Sequence, residues 1–115
     1  MLRLPQNNTF FSLDPDCAAF TPRVPIDANL DFLELCAITG VTTLASVTPG
    51  FIKGEDLKRI RRIYEIASVG GKGAIPLNWV GHTAASQYQC EDGSVFEIDW
   101  YKTYEGSRLN FEWMN

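Results

Sequence analysis

The last third of the chain alternates apolar and polar side chains, as in the stretch FEIDWYKTYEGSRLNFEW at residues 96–113. A period of two is the repeat of a β-strand that buries one face. Two turn signals divide the alternation, Glu91-Asp92-Gly93 and Glu105-Gly106. The sequence therefore predicts a meander of three antiparallel strands, at about 79–90, 95–104 and 107–114.

The two turns also predict which residues face each other. A three-residue first turn with Gly93 in the left-handed conformation places Tyr88 opposite Phe96. A two-residue second turn places Trp100 opposite Phe111. Both registers collect apolar side chains on one face, as a sheet packed on a core requires.

The opposite face of the predicted sheet carries carboxylates. Asp99 lies opposite Glu112 in this register, and Glu97 lies two residues further along the same face. Like charges that face each other across a strand pair destabilise a sheet, so stability does not explain the arrangement. Two interpretations remain open, a solvated face that aids solubility and a docking face for a cationic partner. The candidate partner-binding residues are Glu97, Asp99, Tyr101, Asn110 and Glu112.

Two stretches upstream have the spacing of amphipathic helices. The first is predicted over residues 28–39, with Asp27 as its N-cap and Gly40 as its C-terminal stop. The second is predicted over about 55–69, because apolar residues recur there every three or four positions. This second helix is basic, since it contains Lys58, Arg59, Arg61 and Arg62.

Two shorter stretches have less decisive patterns. Residues 41–48 fit a strand or a continuing buried helix, and the helix is favoured because Leu44 and Val47 extend the apolar stripe. Residues 9–13 could form a short strand that joins the sheet. The predicted fold class is α+β, with one or two N-terminal helices and the basic helix packed on a C-terminal antiparallel three-stranded meander, which an N-terminal strand could extend.

Length and composition limit the classes of protein to which the chain can belong. A chain of 115 residues that is 45% hydrophobic is expected to form one globular domain. It contains no run of about 18 apolar residues, and its N-terminus lacks the apolar stretch of a secretory signal. We therefore expect no membrane association and a cytoplasmic location. The formal net charge of −4 also disfavours direct nucleic-acid binding.

Motifs for metals, cofactors and catalysis are weak. Three cysteines without CxxC spacing and a single histidine do not supply the four ligands of a structural zinc site, so reduced and mostly buried thiols are expected. Gly70-Gly71-Lys72-Gly73 lacks the first glycine and the serine or threonine of a phosphate-binding loop. We therefore expect no metal and no cofactor. No catalytic residue is predicted, because a carboxylate pair on an open sheet face has no cleft.

Two functions of different classes fit these features. The first is a small acidic protein-binding module that acts as a stoichiometric inhibitor of a basic partner, such as an immunity protein that neutralises a nuclease-type toxin. The alternative is a small ligand-binding or enzymatic α+β domain with an apolar pocket near the histidine. Either could be a monomer or a homodimer. The candidate pocket residues are Trp79, His82, Trp100 and Trp113.

Overall fold

In the part of the chain that the structure describes, the fold consists of two α-helices, one parallel pair of strands and one three-stranded antiparallel sheet. The structure is a computed structural model that describes residues 4–69 and 73–102. The predicted α+β class is confirmed. In chain order the elements are a short 3-10 helix (Leu4–Gln6), β1 (Cys17–Phe20), α1 (Ile26–Thr39), β2 (Leu44–Val47), α2 (Gly54–Ser68), β3 (Ile75–Pro76), β4 (Gln87–Gln89) and β5 (Val95–Glu97).

The helix α1 ends where the sequence predicts but begins earlier. Gly40 has a φ of 70°, and its N–H and that of the next residue bond to carbonyls in the last turn of α1, as in a left-handed C-terminal cap. Asp27 is not the N-cap, which corrects that prediction. Pro25 takes this place with an extended backbone, so Asp27 lies in the first turn, where a negative charge complements the helix dipole.

Residues 41–48 do not continue the helix, and the prediction of a helix there was wrong. Leu44–Val47 form β2, which pairs in parallel with β1 through α1 as the crossover. The left-handed Gly40 turns the chain away from the helix axis, and β1 then supplies hydrogen-bond partners for the β-branched segment.

The N-terminal strand is β1, and it pairs only with β2 among the described residues. Residues 9–13 do not form a strand; Phe11 makes a single bridge with Asn7 instead. The side chain of Asn7 accepts a 2.8 Å hydrogen bond from the Leu13 N–H, which folds this segment onto itself. The expected extension of the antiparallel sheet by an N-terminal strand is therefore not found in the part of the chain that the structure describes.

Two clusters of buried side chains lie on different sides of α1. Leu30 and Leu33 of α1 pack in the first cluster with α2 and β1, whereas Leu35 packs in the second with the antiparallel sheet. This central position explains why α1 is apolar over much of its circumference. The first cluster comprises Ala18, Phe20, Leu30, Leu33, Ala37, Ile52, Ile60 and Ile63. The second comprises Leu35, Ala74, Ala85, Tyr88 and Ile98.

The basic helix α2 spans Gly54–Ser68, close to the predicted 55–69. It buries Ile60 and Ile63 against α1, as its apolar spacing predicts. Arg59 points across to α1, so only part of the basic character of α2 faces solvent.

The antiparallel sheet has the order β3–β4–β5, and its turn between β4 and β5 is the predicted one. Tyr88 pairs with Phe96, which confirms the predicted register. Gly93 has a φ of 84°, which a three-residue turn of this kind requires. Tyr88 is fully buried and Ile98 nearly so, which places the apolar side of this register in the core.

The predicted strand limits need correction. Residues 79–86 are a loop rather than the first part of a strand, and β4 contains only Gln87–Gln89. β5 ends at Glu97, and a turn follows at residues 100–101. Among the described residues, a further strand of this sheet is Ile75–Pro76, which pairs with β4 and contains a proline. The predicted strand 107–114, with its pairing of Asp99 and Glu112, lies outside the described residues.

Candidate functional site

A loop of ten residues, 77–86, connects β3 to β4, and its base is closed by a 2.9 Å backbone hydrogen bond from Leu77 to Gln87 and by the side chain of Asn78. The side-chain oxygen Oδ1 of Asn78 accepts hydrogen bonds from the backbone N–H groups of Ser86 at 3.0 Å and Gln87 at 3.1 Å. The Asn78 amide nitrogen donates to the Ser86 hydroxyl at 2.9 Å. Because the Asn78 side chain, at the start of the loop, bonds to three groups at its end, the loop has a defined shape without regular secondary structure.

The tip of this loop exposes apolar side chains. Trp79 is 55% exposed and Val80 is 74% exposed. His82 is exposed as well, with its Nδ1 atom 3.2 Å from the Val80 carbonyl oxygen. Exposed aromatic and aliphatic side chains on a rigid loop are typical of protein-binding surfaces.

The outward side of β5 and of the residues after it carries the predicted carboxylates. We call Glu97, Asp99 and Tyr101 the acidic face. Both carboxylates are exposed, and Tyr101 is 89% exposed. Glu97 accepts a 2.9 Å hydrogen bond from the Gln87 side chain, and Asp99 accepts one of 2.9 Å from the Tyr101 N–H. These donors are neutral, so they orient the carboxylates without cancelling their charge.

Two bases, Lys102 and Arg59, are paired with acids of α1. The Lys102 ammonium lies 3.9 Å from an Asp31 oxygen of α1. Arg59 bonds to Asp31 at 2.9 Å and to Glu34 at 2.6 and 3.1 Å. Burial lowers the pKa of Arg59, but these hydrogen bonds and charges outweigh it and hold the pKa above its ordinary value. Asp31 and Glu34 of α1 are therefore paired with bases of the same chain.

A groove separates the acidic face from the end of the 77–86 loop. We call it the Trp100 groove; its volume is about 550 Å³. The Trp100 ring is held in place because its indole nitrogen donates a 2.7 Å hydrogen bond to the Ala85 carbonyl oxygen. The lining residues are His82, Thr83, Ala84, Ser86, Gln87, Glu97, Ile98, Asp99, Trp100 and Tyr101.

The predicted tryptophan pocket is only partly assembled. Trp79 and His82 line one cavity of about 310 Å³ together with Ile75, Pro76 and the loop end. Trp100 lines the neighbouring Trp100 groove instead, so the two tryptophans lie on different sides of His82. The remaining candidate residues Asn110, Glu112 and Trp113 lie outside the described residues.

Asn78 is the residue of this site that the sequence reasoning missed. Asn78 directly precedes the strand that was predicted at about 79–90, and it was given no role. The available signal was chemical, because asparagine bonds readily to the backbone of a following turn. The glycine at position 81, with a φ of 79°, was a second sign of a loop.

The cysteines occupy three different environments. Cys36 is buried, and burial raises its pKa to about 11, so it is a poor nucleophile. Cys17 is exposed and Cys90 is half-buried, which corrects the expectation that most of the thiols are buried. Within residues 4–69 and 73–102, no group of three potential ligands could hold a metal ion. In the same part of the chain, no helix is long and apolar enough to cross a membrane.

The chain was compared with protein families, curated proteins and solved structures. No protein-family model, no curated protein and no solved structure matches the chain. The function must therefore be inferred from the site itself.

Proposed function

We propose that the chain is a small protein-binding module that recognises a basic protein partner through its acidic face. One observation carries the proposal: Glu97 and Asp99 are exposed beside Tyr101, and the hydrogen bonds that orient them come from neutral donors. Exposed carboxylates of fixed orientation attract a cationic surface and disfavour an anionic one. An exposed tyrosine beside them supplies apolar contact area, as binding hot spots commonly do.

We further propose that the module is a stoichiometric inhibitor. A protein surface with clustered bases is commonly one that binds nucleic-acid phosphates. An acidic module that covers such a surface would block it, as an immunity protein blocks a nuclease-type toxin. The net charge of −4 supports this proposal, since an acidic domain is attracted to a basic groove.

The test is co-expression of the chain with the product of the neighbouring gene, followed by titration calorimetry. A basic partner should bind with one-to-one stoichiometry, and an increase in salt concentration should weaken the complex. The double variant Glu97→Lys/Asp99→Lys should weaken binding by at least about 30-fold, or about 2 kcal/mol.

The matched control is Glu65→Lys/Glu91→Lys, which changes the net charge equally at two exposed acids elsewhere. Both double variants should keep the circular dichroism spectrum of the unmodified protein. Equal loss of affinity in the two variants would show that net charge, rather than the acidic face, determines binding, and this result would contradict the proposal. A neutral or acidic partner would contradict it as well.

A second candidate function, small-ligand binding, is favoured by the cavity between Trp79 and His82. Its volume of about 310 Å³ is at the lower end of the range of small-molecule sites, and its walls are largely apolar. A fragment screen by NMR should then find ligands that move the Trp79 indole signal, and Trp79→Ala should abolish their binding. Fragments that leave this signal unmoved would remove the candidate.

A further inference from the structure

The Trp100 groove combines two features that a cationic side chain requires. One is negative charge, which Glu97 and Asp99 supply from one wall. The other is aromatic surface, which Trp100 and Tyr101 supply. Aromatic faces attract cations through their quadrupole, at exposed sites as well as at buried ones.

The Trp100 ring is held in position before any ligand binds. The 2.7 Å bond from Trp100 to the Ala85 carbonyl fixes the indole ring, and Trp100 remains 40% exposed. Ala85 itself is buried at the end of the 77–86 loop, which Asn78 closes. A ligand that contacts the ring therefore loses little affinity to ordering it.

The carboxylates are also organised and retain acceptor capacity. The hydrogen bonds to Glu97 and Asp99 use Oε1 and Oδ1, one oxygen of each carboxylate. An ionised carboxylate has two oxygens with about four acceptor positions, so it can accept further donors. Planar donors that form two parallel bonds suit such groups best.

We propose that the Trp100 groove receives one arginine side chain of the partner. Its guanidinium stacks on the aromatic wall and donates to Glu97 and Asp99. Arginine fits better than lysine because its planar group both stacks on rings and forms paired hydrogen bonds with carboxylates. This inference rests on the proposed function, since it names the group of the basic partner that the acidic face recognises.

The experiment titrates the isotope-labelled protein with the peptide acetyl-Gly-Arg-Gly-amide and follows the indole N–H signal of Trp100 by NMR. The control peptide carries citrulline, which has the shape of arginine without its charge. We expect a saturable shift with the arginine peptide in the low millimolar range and at least tenfold weaker binding of the citrulline peptide. The isosteric variant Glu97→Gln/Asp99→Asn should lose this difference, and Tyr101→Ala should weaken binding several-fold.

Three results would overturn the inference: no movement of the Trp100 signal, equal binding of the arginine and citrulline peptides, or an unchanged response in the Glu97→Gln/Asp99→Asn variant. Equal binding of a lysine peptide would overturn recognition of the guanidinium.

Failure of the proposed function is distinguishable from failure of the groove inference. If a basic partner binds through the acidic face but leaves the Trp100 signal unmoved, only the groove inference is lost. If the peptide binds but no basic partner exists, only the inhibitor proposal is lost.

Discussion

Trp100 donates a hydrogen bond of 2.7 Å from its indole nitrogen to the backbone carbonyl oxygen of Ala85. The buried Tyr88 hydroxyl donates to the same oxygen at 3.1 Å. This one carbonyl therefore joins the end of the 77–86 loop to β4 and to the residues after β5. The candidate site depends on this junction, because the Trp100 groove lies directly between the joined segments.

Trp100→Phe should show how much this junction contributes. The phenylalanine keeps an aromatic ring but leaves the part-buried carbonyl with one donor fewer, so the free energy of unfolding should fall by about 1–2 kcal/mol. Urea unfolding followed by circular dichroism measures the change. The control is Trp79→Phe at the exposed loop tip, which should change stability by less than about 0.5 kcal/mol. Equal effects of the two substitutions would contradict the role of the Trp100 bond.

The side-chain oxygen of Asn78 should contribute more to the stability of the 77–86 loop than its side-chain nitrogen. Asn78→Ala leaves the N–H groups of Ser86 and Gln87 without their acceptor and should cost about 2 kcal/mol. Asn78→Asp keeps an acceptor oxygen for both N–H groups and should cost less. Amide hydrogen exchange at Ser86 and Gln87 is the direct measurement, since exchange should accelerate strongly only in the alanine variant. Similar acceleration in both variants would contradict this account of the loop.

Gly73 should not tolerate a side chain. A Cβ atom at this position would lie 2.5 Å from the Thr39 carbonyl oxygen, because the chain passes closely beside the end of α1. The neighbouring Ala74 N–H bonds to the Ile38 carbonyl oxygen at 2.7 Å and holds the two segments together. Gly73→Ala should therefore lower the free energy of unfolding by about 1–3 kcal/mol, as measured by urea unfolding.

The control for this substitution is Gly50→Ala. Gly50 has a φ of 74° but no atom within 4 Å of the added Cβ, so only backbone strain of about 1 kcal/mol is expected. A larger loss at Gly50 than at Gly73 would show that the close approach to Thr39 is not the decisive factor.

Cys36 should make the protein less stable at alkaline pH. Burial raises its pKa from the ordinary value of 9.0 to about 11, so between these values the unfolded chain has lost a proton that the folded chain keeps. Its contribution is present below pH 9 and is lost as the pH rises toward 11. Urea unfolding at pH 8 and pH 10 should show the decrease, and Cys36→Ala should make it smaller.

Tyr64 and Tyr88 also have pKa values raised by burial, so part of the alkaline decrease should remain in Cys36→Ala. Thiol labelling gives an independent check at pH 8. Exposed Cys17 should react readily, whereas Cys36 should react only as the protein unfolds. Rapid labelling of Cys36 in the folded protein would contradict its assigned burial.

Local sequence patterns determined the features that depend on neighbouring residues. Gly40 ends α1 because a left-handed residue is needed there, and Gly93 sets the register of Tyr88 and Phe96 for the same reason. The apolar spacing of α2 placed Ile60 and Ile63 in the core. The exposure of Glu97, at the end of β5, and of Asp99, two residues later, also follows from the two-residue repeat of a strand.

Only the tertiary structure decided what depends on distant residues. β2 is a strand because β1, more than 20 residues earlier, pairs with it, and the sequence of β2 alone also suits a buried helix. The 77–86 loop interrupts the alternation because Asn78 bonds across it to Ser86 and Gln87. The Trp100 groove lies between segments that are distant in sequence, and the hydrogen bond from Trp100 to the Ala85 carbonyl joins them. The repeat of apolar side chains indicates which face of a strand is buried. It does not indicate which distant groups form hydrogen bonds with the backbone N–H and C=O groups.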